Sequence, residues 1–330
     1  MTILPNDIAL LSDCQHEFPL AARPFRAIAR RTGSTEQAVL ESFRTQRAAG
    51  ALSRIGAVWA RGAGGAGALC AMRVPREDLE RVAAIVNAEG GVNHNYEREH
   101  AWNLWYVITG TSSSQVREAA LRIEDAAGLD CLFLPMVRAY RVDLGFDLLD
   151  AASHSRDAGA DGTPVDEADR PLAALAERGL SLVERPFDLW AAELGTGTES
   201  VLATLDRWKS QGTLRRFGVV VRHHDLGYSA NAMTVVQAPP SRADAIGAAL
   251  AAQPGVTLAY QRITDARWPY NLYFMVHARV RGEAEERVAQ ALEAAGATPL
   301  PHETLFSLRR FKQTGGRYFS QQRDDCEVAS

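Results

Sequence analysis

The sequence repeats itself, and this duplication limits the fold more than any other feature. The tripeptide Arg23-Pro24-Phe25 recurs as Arg185-Pro186-Phe187, an offset of 162 (186 − 24). The same offset relates later glycines, namely Gly33 with Gly195, Gly50 with Gly212 and Gly56 with Gly218. Glycine and proline have special backbone requirements, so a register that preserves them is not expected by chance. The 330 residues therefore form two copies of one unit of about 150 residues, a size typical of domains.

Each copy begins with two short helices separated by a turn. Apolar residues have helical spacing on both sides of a break at residues 32–34, and they are Phe25, Ile28, Ala29, Val39, Leu40 and Phe43. Ser34, followed three residues later by Gln37, predicts a capping box at the start of the second helix. A strand begins at Leu52. This order predicts a winged helix-turn-helix unit.

The second part of each copy alternates strand-like and helix-like segments. In the first copy the order is strand, helix, strand, strand, helix, strand, over residues 68–74, 76–89, 91–98, 102–109, 113–127 and 131–140. This is the order of a ferredoxin-like domain. The second copy repeats it from Asn231 to Phe311, with Leu300-Pro301 matched to Leu134-Pro135. We therefore expect an α+β fold with a tandem duplication, in which two four-stranded sheets pack about a pseudo-twofold axis.

These units give an expected division into five segments. The helix-turn-helix units occupy residues 1–60 and 171–221, and the ferredoxin-like domains occupy residues 61–150 and 222–330. Residues 151–170 form the linker, which is polar, contains glycine and lacks periodicity. Such a composition predicts a flexible connection.

The composition excludes several classes of protein. With 46% hydrophobic and 23% charged residues, the chain is typical of globular proteins. Its net charge of −4 gives no general attraction to nucleic acid or to a membrane. No stretch has the ~18 apolar residues of a membrane span, and the N-terminus lacks the basic flank of a signal peptide. We expect a cytoplasmic protein that does not bind membranes. The four cysteines are far apart and indicate neither a zinc site nor a disulfide framework.

A DNA-binding regulator is the first alternative to an enzyme. In such a protein the second helix presents its exposed side chains to the major groove. Here the expected exposed residues are Glu36, Gln37, Glu41, Glu199, Ser200 and Asp206. Phosphate would repel the four carboxylates among them. Basic residues around the first unit leave phosphate contact open: Arg23, Arg26, Arg30, Arg31, Arg44 and Arg47. DNA binding is the less favoured interpretation.

A helix-turn-helix unit followed by a ferredoxin-like domain resembles the arrangement in the Lrp/AsnC transcription regulators. Residues 50–56 also fit the sequence pattern of that family. Three longer segments, residues 94–105, 222–233 and 260–277, resemble the sirohaem decarboxylases, the Nir and Ahb proteins of haem d1 and alternative haem biosynthesis. The resemblance implies a fused D–L chain that forms a pseudo-dimer, with a further oligomer left open. It implies removal of CO2 from the C12 and C18 acetates of sirohaem, giving 12,18-didecarboxysirohaem. A transcription regulator or a haem sensor is the alternative.

The implied substrate has many carboxylates around a flat apolar ring. Arginine suits carboxylates because its planar guanidinium binds them in a bidentate manner and stays charged. Arg98 and Arg262 occupy equivalent positions in the two copies, beside Tyr96 and Tyr260. Together with these four, the expected substrate-binding residues are His94, Trp102, His224, Trp268 and His277. The family commonly has arginine at the position of His224.

Decarboxylation of a pyrrole-linked acetate leaves negative charge on the methylene carbon, which must then be protonated. The conjugated ring delocalises this charge, so no separate cofactor is expected. Histidine is the side chain whose ordinary pKa suits proton donation near neutral pH. We predict His100 and His223 as the donors, with His94 and His277 lining the pocket; iron ligation by any of these four is left open.

Other residues near these segments have simpler interpretations. Trp102 and Trp268 supply flat surfaces on which a macrocycle could stack. Trp105 and Tyr273 are expected in the core. Asn103 and Asn271 recur at one position, where capping a turn and contacting the ligand are both open.

Overall fold

The computed structural model describes residues 10–11, 13–15, 17–60, 62–142, 162–221 and 230–319. The strands are β1 (Leu52–Trp59), β2 (Ala66–Met72), β3 (Val92–Arg98), β4 (Leu104–Gly110), β5 (Cys131–Val142), β6 (Leu214–Val221), β7 (Ala230–Val236), β8 (Val256–Arg262), β9 (Leu272–Ala278) and β10 (His302–Gln313). We label the helices α1 (Pro24–Thr32), α2 (Glu36–Ala48), α3 (Leu79–Ala88), α4 (Ser113–Ala127), α5 (Arg170–Arg178), α6 (Pro186–Leu194), α7 (Thr198–Ser210), α8 (Ala243–Ala251) and α9 (Arg281–Ala294).

The two helix-turn-helix units follow the same local chemistry. Proline starts α1 and α6, where its missing N–H costs nothing. Gly33 and Gly195 end them in the left-handed conformation, with φ of 67° and 65°. The predicted capping box at Ser34 is wrong by one residue, because the Ser34 N–H closes the preceding turn on the Ala29 carbonyl. Thr35 caps α2 instead, accepting from the Ala38 N–H at 3.2 Å.

The two winged units form one body because their wing strands pair. β1 and β6 run antiparallel, with Gly56 opposite Gly218. Aromatic side chains from both copies share one core, including the buried Phe25, Phe43, Phe187 and Trp208. Burying an aromatic side chain contributes roughly 1.5–3 kcal/mol. The duplication therefore produces a shared core at this level of the molecule.

The two ferredoxin-like domains join into a closed eight-stranded barrel. Its strand order is β10-β3-β4-β2-β5-β8-β9-β7, so each domain keeps the ferredoxin-like order. The long strands β5 and β10 cross between domains: β5 pairs with β2 and then with β8, and β10 pairs with β7 and then with β3. The tandem α+β fold is confirmed, and the two sheets are hydrogen-bonded at both edges as well as packed. Closure removes the exposed sheet edges.

The register corrects one match between the copies. Leu134 pairs with Leu69, and Leu305 pairs with Met233 at the equivalent place. Leu300 precedes β10 and lies outside the sheet. The sequence match of Leu134-Pro135 to Leu300-Pro301 is therefore wrong, because the connection into β10 is longer than the one into β5.

The barrel interior is filled on one side by what we call the inner cluster: Leu69, Ala71, Trp102, Trp105, Leu132, Leu134, Met233, Val235, Trp268, Tyr273 and Leu305. The helices of each ferredoxin-like domain cover the outer faces in two further clusters. Within the described residues, no helix has the length and apolarity needed to cross a membrane.

Candidate functional site

The inner face of β3 carries three of the expected site residues. His94, Tyr96 and Arg98 alternate along the strand and therefore point to one face. His94 lies opposite Val107, and Tyr96 lies opposite Trp105 of the inner cluster. Directly opposite residues share a face. These three side chains thus line the inside of the barrel.

The duplication creates a second such row on β8. Leu258, Tyr260 and Arg262 occupy the positions of His94, Tyr96 and Arg98. Tyr260 lies opposite Tyr273, as Tyr96 lies opposite Trp105. Both rows therefore contain a tyrosine and an arginine. They differ at the first position, which is His94 in one row and Leu258 in the other.

Inner residues of the neighbouring strands extend each row into a strip along the inner wall of the barrel, and we call each strip a seam. The first seam consists of the inner residues of β3, β10, β7 and β9: His94, Tyr96, Arg98, Arg310, Asn231 and His277. The second seam consists of their counterparts on β8, β5, β2 and β4: Leu258, Tyr260, Arg262, Ala139, Gly67 and Thr109. At each of the four positions where the seams differ, the first seam has a residue able to bind a charged ligand, and the second seam has a small or less polar residue.

Arg98 is buried in the first seam with part of its guanidinium unused. One Nη donates to the Leu305 carbonyl at 2.9 Å, and both Nη atoms lie 3.5 Å from the Asn231 amide oxygen. Its buried Nε has no hydrogen-bond partner among the described residues. Burial lowers the Arg98 pKa to about 10, which leaves the group charged at neutral pH. A buried cation with an unused N–H is suited to a ligand carboxylate.

Arg262 is the counterpart of Arg98 in the second seam. It donates to the Leu134 carbonyl at 3.0 Å, and within the described chain its buried Nε is likewise unpaired. Burial lowers the Arg262 pKa. Gly67 stands where the first seam has Asn231, so Arg262 lacks that side-chain amide.

His277 is held by both ring nitrogens. The Asn231 amide donates to Nε2 at 3.0 Å, which assigns the ring proton to Nδ1. Nδ1 lies 2.9 Å from the Thr257 hydroxyl, which in turn donates to the Met275 carbonyl. Because Asn231 also contacts Arg98, one network joins the two copies across the first seam.

His94 lies on β3 in the first seam, where its side chain is half-buried. Its Nδ1 lies 2.6 Å from the Asn93 side-chain oxygen, and its ring stacks on Tyr96 with centroids 6.2 Å apart. Burial lowers the His94 pKa to about 4, because charging the ring would require desolvation of the cation. The ring is therefore neutral at physiological pH.

His100 lies beyond the end of β3, where it meets the second copy. The Trp102 N–H donates to Nδ1 at 2.9 Å, so the proton is assigned to Nε2, which donates to the Glu303 carboxylate at 2.7 Å. Tyr270 donates to the other oxygen of Glu303 at 2.5 Å. Burial, and then this hydrogen bond, raise the Tyr270 pKa to about 12. Glu303 was missed by the sequence analysis because it stands alone at the start of a strand.

Two of the expected stacking residues lie inside the inner cluster. Trp102 and Trp268 are 3% and 2% exposed, so their rings are not open to a macrocycle as expected. The guanidinium groups of Arg73 and Arg267 lie over the Trp102 ring, at 4.5 and 5.6 Å from its centroid. Trp105 and Tyr273 are also buried.

Asn103 and Asn271 have a structural role. Asn103 exchanges two hydrogen bonds with the main chain of Val74, each 2.8 Å long. Asn271 does the same with Ala238. Of the two roles left open, these contacts correspond to bracing a turn.

Residues 317–319, which follow β10, cover the second seam. The Arg317 N–H donates to the Thr109 hydroxyl at 2.9 Å. The N–H groups of Tyr318 and Phe319 donate to the Glu177 carboxylate at 2.6 and 3.0 Å. At Gly65, with φ of +68°, a Cβ would come within 2.7 Å of the Tyr318 Cβ, so this close approach requires glycine.

The remaining predicted site residues cannot be placed. His223 and His224 lie outside the described residues. Asn231 and Arg310, which the sequence analysis did not select, belong to the first seam. The signal for both was available, because their counterparts in the other copy are Gly67 and Ala139. No group of three His, Cys, Asp or Glu side chains arranged to hold a metal ion occurs in the described part of the chain.

Arg23, Arg44 and Arg47, among the six basic residues around α2, make contacts within the protein. Arg23 contacts both Glu36 and Glu184 at 2.5 Å, so Glu36 is ion-paired and not exposed as expected. Arg44 and Arg47 donate to main-chain carbonyls at Leu182 and Leu180. These contacts leave fewer cations for a phosphate backbone.

Comparison with known proteins decides the family. An AsnC-like ligand-binding domain model matches residues 63–141 and 225–312, and a model of the sirohaem decarboxylase NirDL-like helix-turn-helix domain matches residues 7–52 and 169–215. The NirDL subunit of sirohaem decarboxylase from Paracoccus pantotrophus is 41% identical over 96% of this chain and 98% of its own. This chain belongs to the sirohaem decarboxylase family. The sirohaem decarboxylase of Hydrogenobacter thermophilus is 32% identical, over 95% of each chain.

Solved structures of this family have the same architecture. The crystal structure of the sirohaem decarboxylase NirDL has a TM-score of 0.69, with 30% identity, and the match covers 96% of this chain and 95% of that one. A second structure, of NirDL in a complex with an iron-uroporphyrin III analogue, has a TM-score of 0.68 and 29% identity. Coverage is 96% of this chain and 94% of that chain.

Proposed function

We propose that this protein is a sirohaem decarboxylase, a carboxy-lyase that removes CO2 from the C12 and C18 acetates of sirohaem in haem d1 biosynthesis. The relatives named for this activity align over nearly the whole chain. The observation that carries the proposal is the first seam, where a buried, charged Arg98 keeps an unused N–H among aromatic and imidazole groups.

Two arginines bind the carboxylates of the substrate. Arg98 and Arg262 lie on the inner face of the barrel, each beside a tyrosine, at 5.8 Å from the Tyr96 ring and 5.3 Å from the Tyr260 ring. The guanidinium fixes a carboxylate, and the tyrosine supplies flat apolar surface next to it. His94 and His277 complete this wall in the first seam. His224 stays assigned to substrate binding, whereas the buried Trp102 and Trp268 support the wall from the inner cluster and do not contact the macrocycle.

The protons come from His100 and His223. After CO2 leaves, the methylene carbon carries an electron pair that the macrocycle delocalises, and a donor must deliver one proton to this carbon. His100 donates from its imidazolium form, in which Nδ1 takes up a proton in place of the hydrogen bond from the Trp102 N–H, so that loss of the Nε2 proton to the carbon leaves the neutral ring. The partly exposed Glu303, 2.7 Å from Nε2, connects His100 to solvent for reprotonation. Release of His100 from Glu303 on substrate binding frees Nε2 for this transfer.

The reaction needs no cofactor beyond the substrate, whose iron enters with the ring. The protein works in the cytoplasm as a pseudo-dimer within one chain and does not bind membranes. The division into residues 1–60, 61–150, 151–170, 171–221 and 222–330 stays our assignment of domains.

A haem-sensing DNA regulator is the second candidate, because the winged units are retained. The ion pair of Arg23 with Glu36 and the main-chain bonds of Arg44 and Arg47 argue against it. Anaerobic incubation with sirohaem, followed by mass analysis of the tetrapyrrole, separates the two. Loss of two CO2 units is expected; tight binding without a mass change would favour the sensor.

A further inference from the structure

The described histidines of the barrel interior differ in how their ring nitrogens are used. His277 is held at Nδ1 by Thr257 and at Nε2 by Asn231. His100 is held at Nδ1 by the Trp102 N–H and at Nε2 by Glu303. His94 is held at Nδ1 by Asn93, and no described residue makes a hydrogen bond with its Nε2. His94 therefore has a nitrogen available to a ligand.

The contact of His94 with Asn93 also sets the tautomer. The Asn93 amide donates to the Thr109 hydroxyl at 3.0 Å, so its oxygen faces His94 and accepts the Nδ1 proton. Thr109 is fixed in turn by the Arg317 N–H. Nε2 then carries a lone pair, the form of imidazole that binds a metal. A histidine that ligates a metal commonly donates its other N–H to such a partner.

The surroundings of His94 suit the face of a macrocycle. Tyr96 stacks on the imidazole at an interplanar angle of 23°, and Val107 lies opposite on β4. Arg98 follows on the same face two residues beyond Tyr96. In the second copy the corresponding residue is Leu258, which cannot bind a metal.

We propose that Nε2 of His94 is the axial ligand of the iron of the bound tetrapyrrole, and that each chain holds one iron in this way. The neutral imidazole required for ligation is maintained at physiological pH because burial disfavours its protonation. This role sets the position of the ring relative to the proton donors. It rests on the proposed function, because it assumes that an iron tetrapyrrole binds at the first seam.

The experiment uses the full chain with ferric iron-uroporphyrin III and with metal-free uroporphyrin III. The variant is His94→Leu, which installs the residue that the second copy already has at this place. Electron paramagnetic resonance of protein labelled with 15N-histidine reports a nitrogen bound to iron. In the wild type we expect this coupling, and in His94→Leu we expect its loss with at least a roughly tenfold weaker affinity for the iron form.

The metal-free ring is the matched control, because its binding does not use a ligand to iron. Because His94 also belongs to the wall of the site, His94→Leu should weaken binding of the metal-free ring too, but far less than it weakens binding of the iron form; retained binding of the metal-free ring also shows that the variant folds. In a His94→Gly variant, added imidazole should restore the iron signal. An unchanged nitrogen coupling in His94→Leu, or no coupling in the wild type, would overturn the assignment. These outcomes are separate from decarboxylation, whose absence in the wild type would instead contradict the proposed function.

Discussion

The two seams of the barrel share their tyrosine and arginine and differ at the four other inner positions. The first seam has His94, Arg310, Asn231 and His277 where the second has Leu258, Ala139, Gly67 and Thr109. The shared residues form the wall that we propose binds carboxylates, and duplication made it twice. The residues that differ concentrate imidazole, cationic and hydrogen-bonding groups on one side, and residues 317–319 cover the other. Duplication therefore allowed one side to specialise while both kept the fold.

The largest expected effect is on the proton donors. Replacing His100 or His223 with Ala should slow decarboxylation by roughly 10²–10⁴-fold, the usual contribution of a general acid. Binding of sirohaem should be largely retained, because the arginines and tyrosines supply the affinity. Single-turnover CO2 release and equilibrium titration separate the two effects. His302→Ala, an exposed histidine outside both seams, is the control and should keep the wild-type rate. A wild-type rate in His100→Ala would remove it from the mechanism.

The next effect distinguishes the seams by their arginines. Arg98→Ala should weaken binding of sirohaem by roughly ten- to hundredfold, since a hydrogen bond to a charged group contributes about 1.5–3 kcal/mol. Arg262→Ala should weaken it less, because Tyr318 and its neighbours cover the second seam. Calorimetric titration measures both. Equal losses would mean that both seams contact the substrate equally.

The pH dependence of stability tests the buried state of His94. Burial lowers its pKa from 6.5 to about 4, so the unfolded chain binds a proton in this range that the folded chain does not. Stability should therefore fall as the pH decreases from 6.5 to 4 and change no further through this group below that value. In His94→Leu this part of the loss, about 1–3 kcal/mol, should be absent. Urea unfolding at several pH values measures the free energy of unfolding of both proteins. The same dependence on pH in the wild type and in His94→Leu would show that His94 is solvated.

The smallest effects concern the helix caps, where the copies also differ. Thr35 caps α2 with its side chain, and the equivalent Gly197 leaves α7 without a side-chain cap. Thr35→Ala should reduce the free energy of unfolding by about 1 kcal/mol, and Gly197→Thr should raise it by a few tenths. A Cβ at Gly197 meets no atom within 4 Å. Thermal denaturation of the two variants compares them; a destabilised Gly197→Thr would show that the cap geometry differs between the copies.

Much of the fold could be predicted because duplication preserves the residues with strict backbone demands. Pro24 and Gly33, with their counterparts, mark the helix ends in both copies. The barrel closure was not predicted, since it depends on β5 and β10 each leaving one sheet for the other. Residue patterns report the faces of a strand, and they do not report which strand pairs along each edge.

The positions of the candidate site residues could be predicted where the residues recur and were missed where they do not. Tyr96, Arg98 and their counterparts were found through the repeat, and the structure places them on equivalent inner faces. Glu303 was missed because its contact with His100 joins residues about 200 positions apart in the sequence, a distance over which spacing carries no signal. Trp102 was expected at the substrate surface, and it is buried because the loop after β3 folds into the inner cluster.

The most direct test of the specialised first seam is a crystal structure of this protein with iron-uroporphyrin III. We expect one macrocycle per chain, with a carboxylate on Arg98, His94 on the iron and Tyr96 against the ring. A macrocycle bound only at Tyr260 and Arg262, with Tyr318 displaced and the first seam empty, would contradict it.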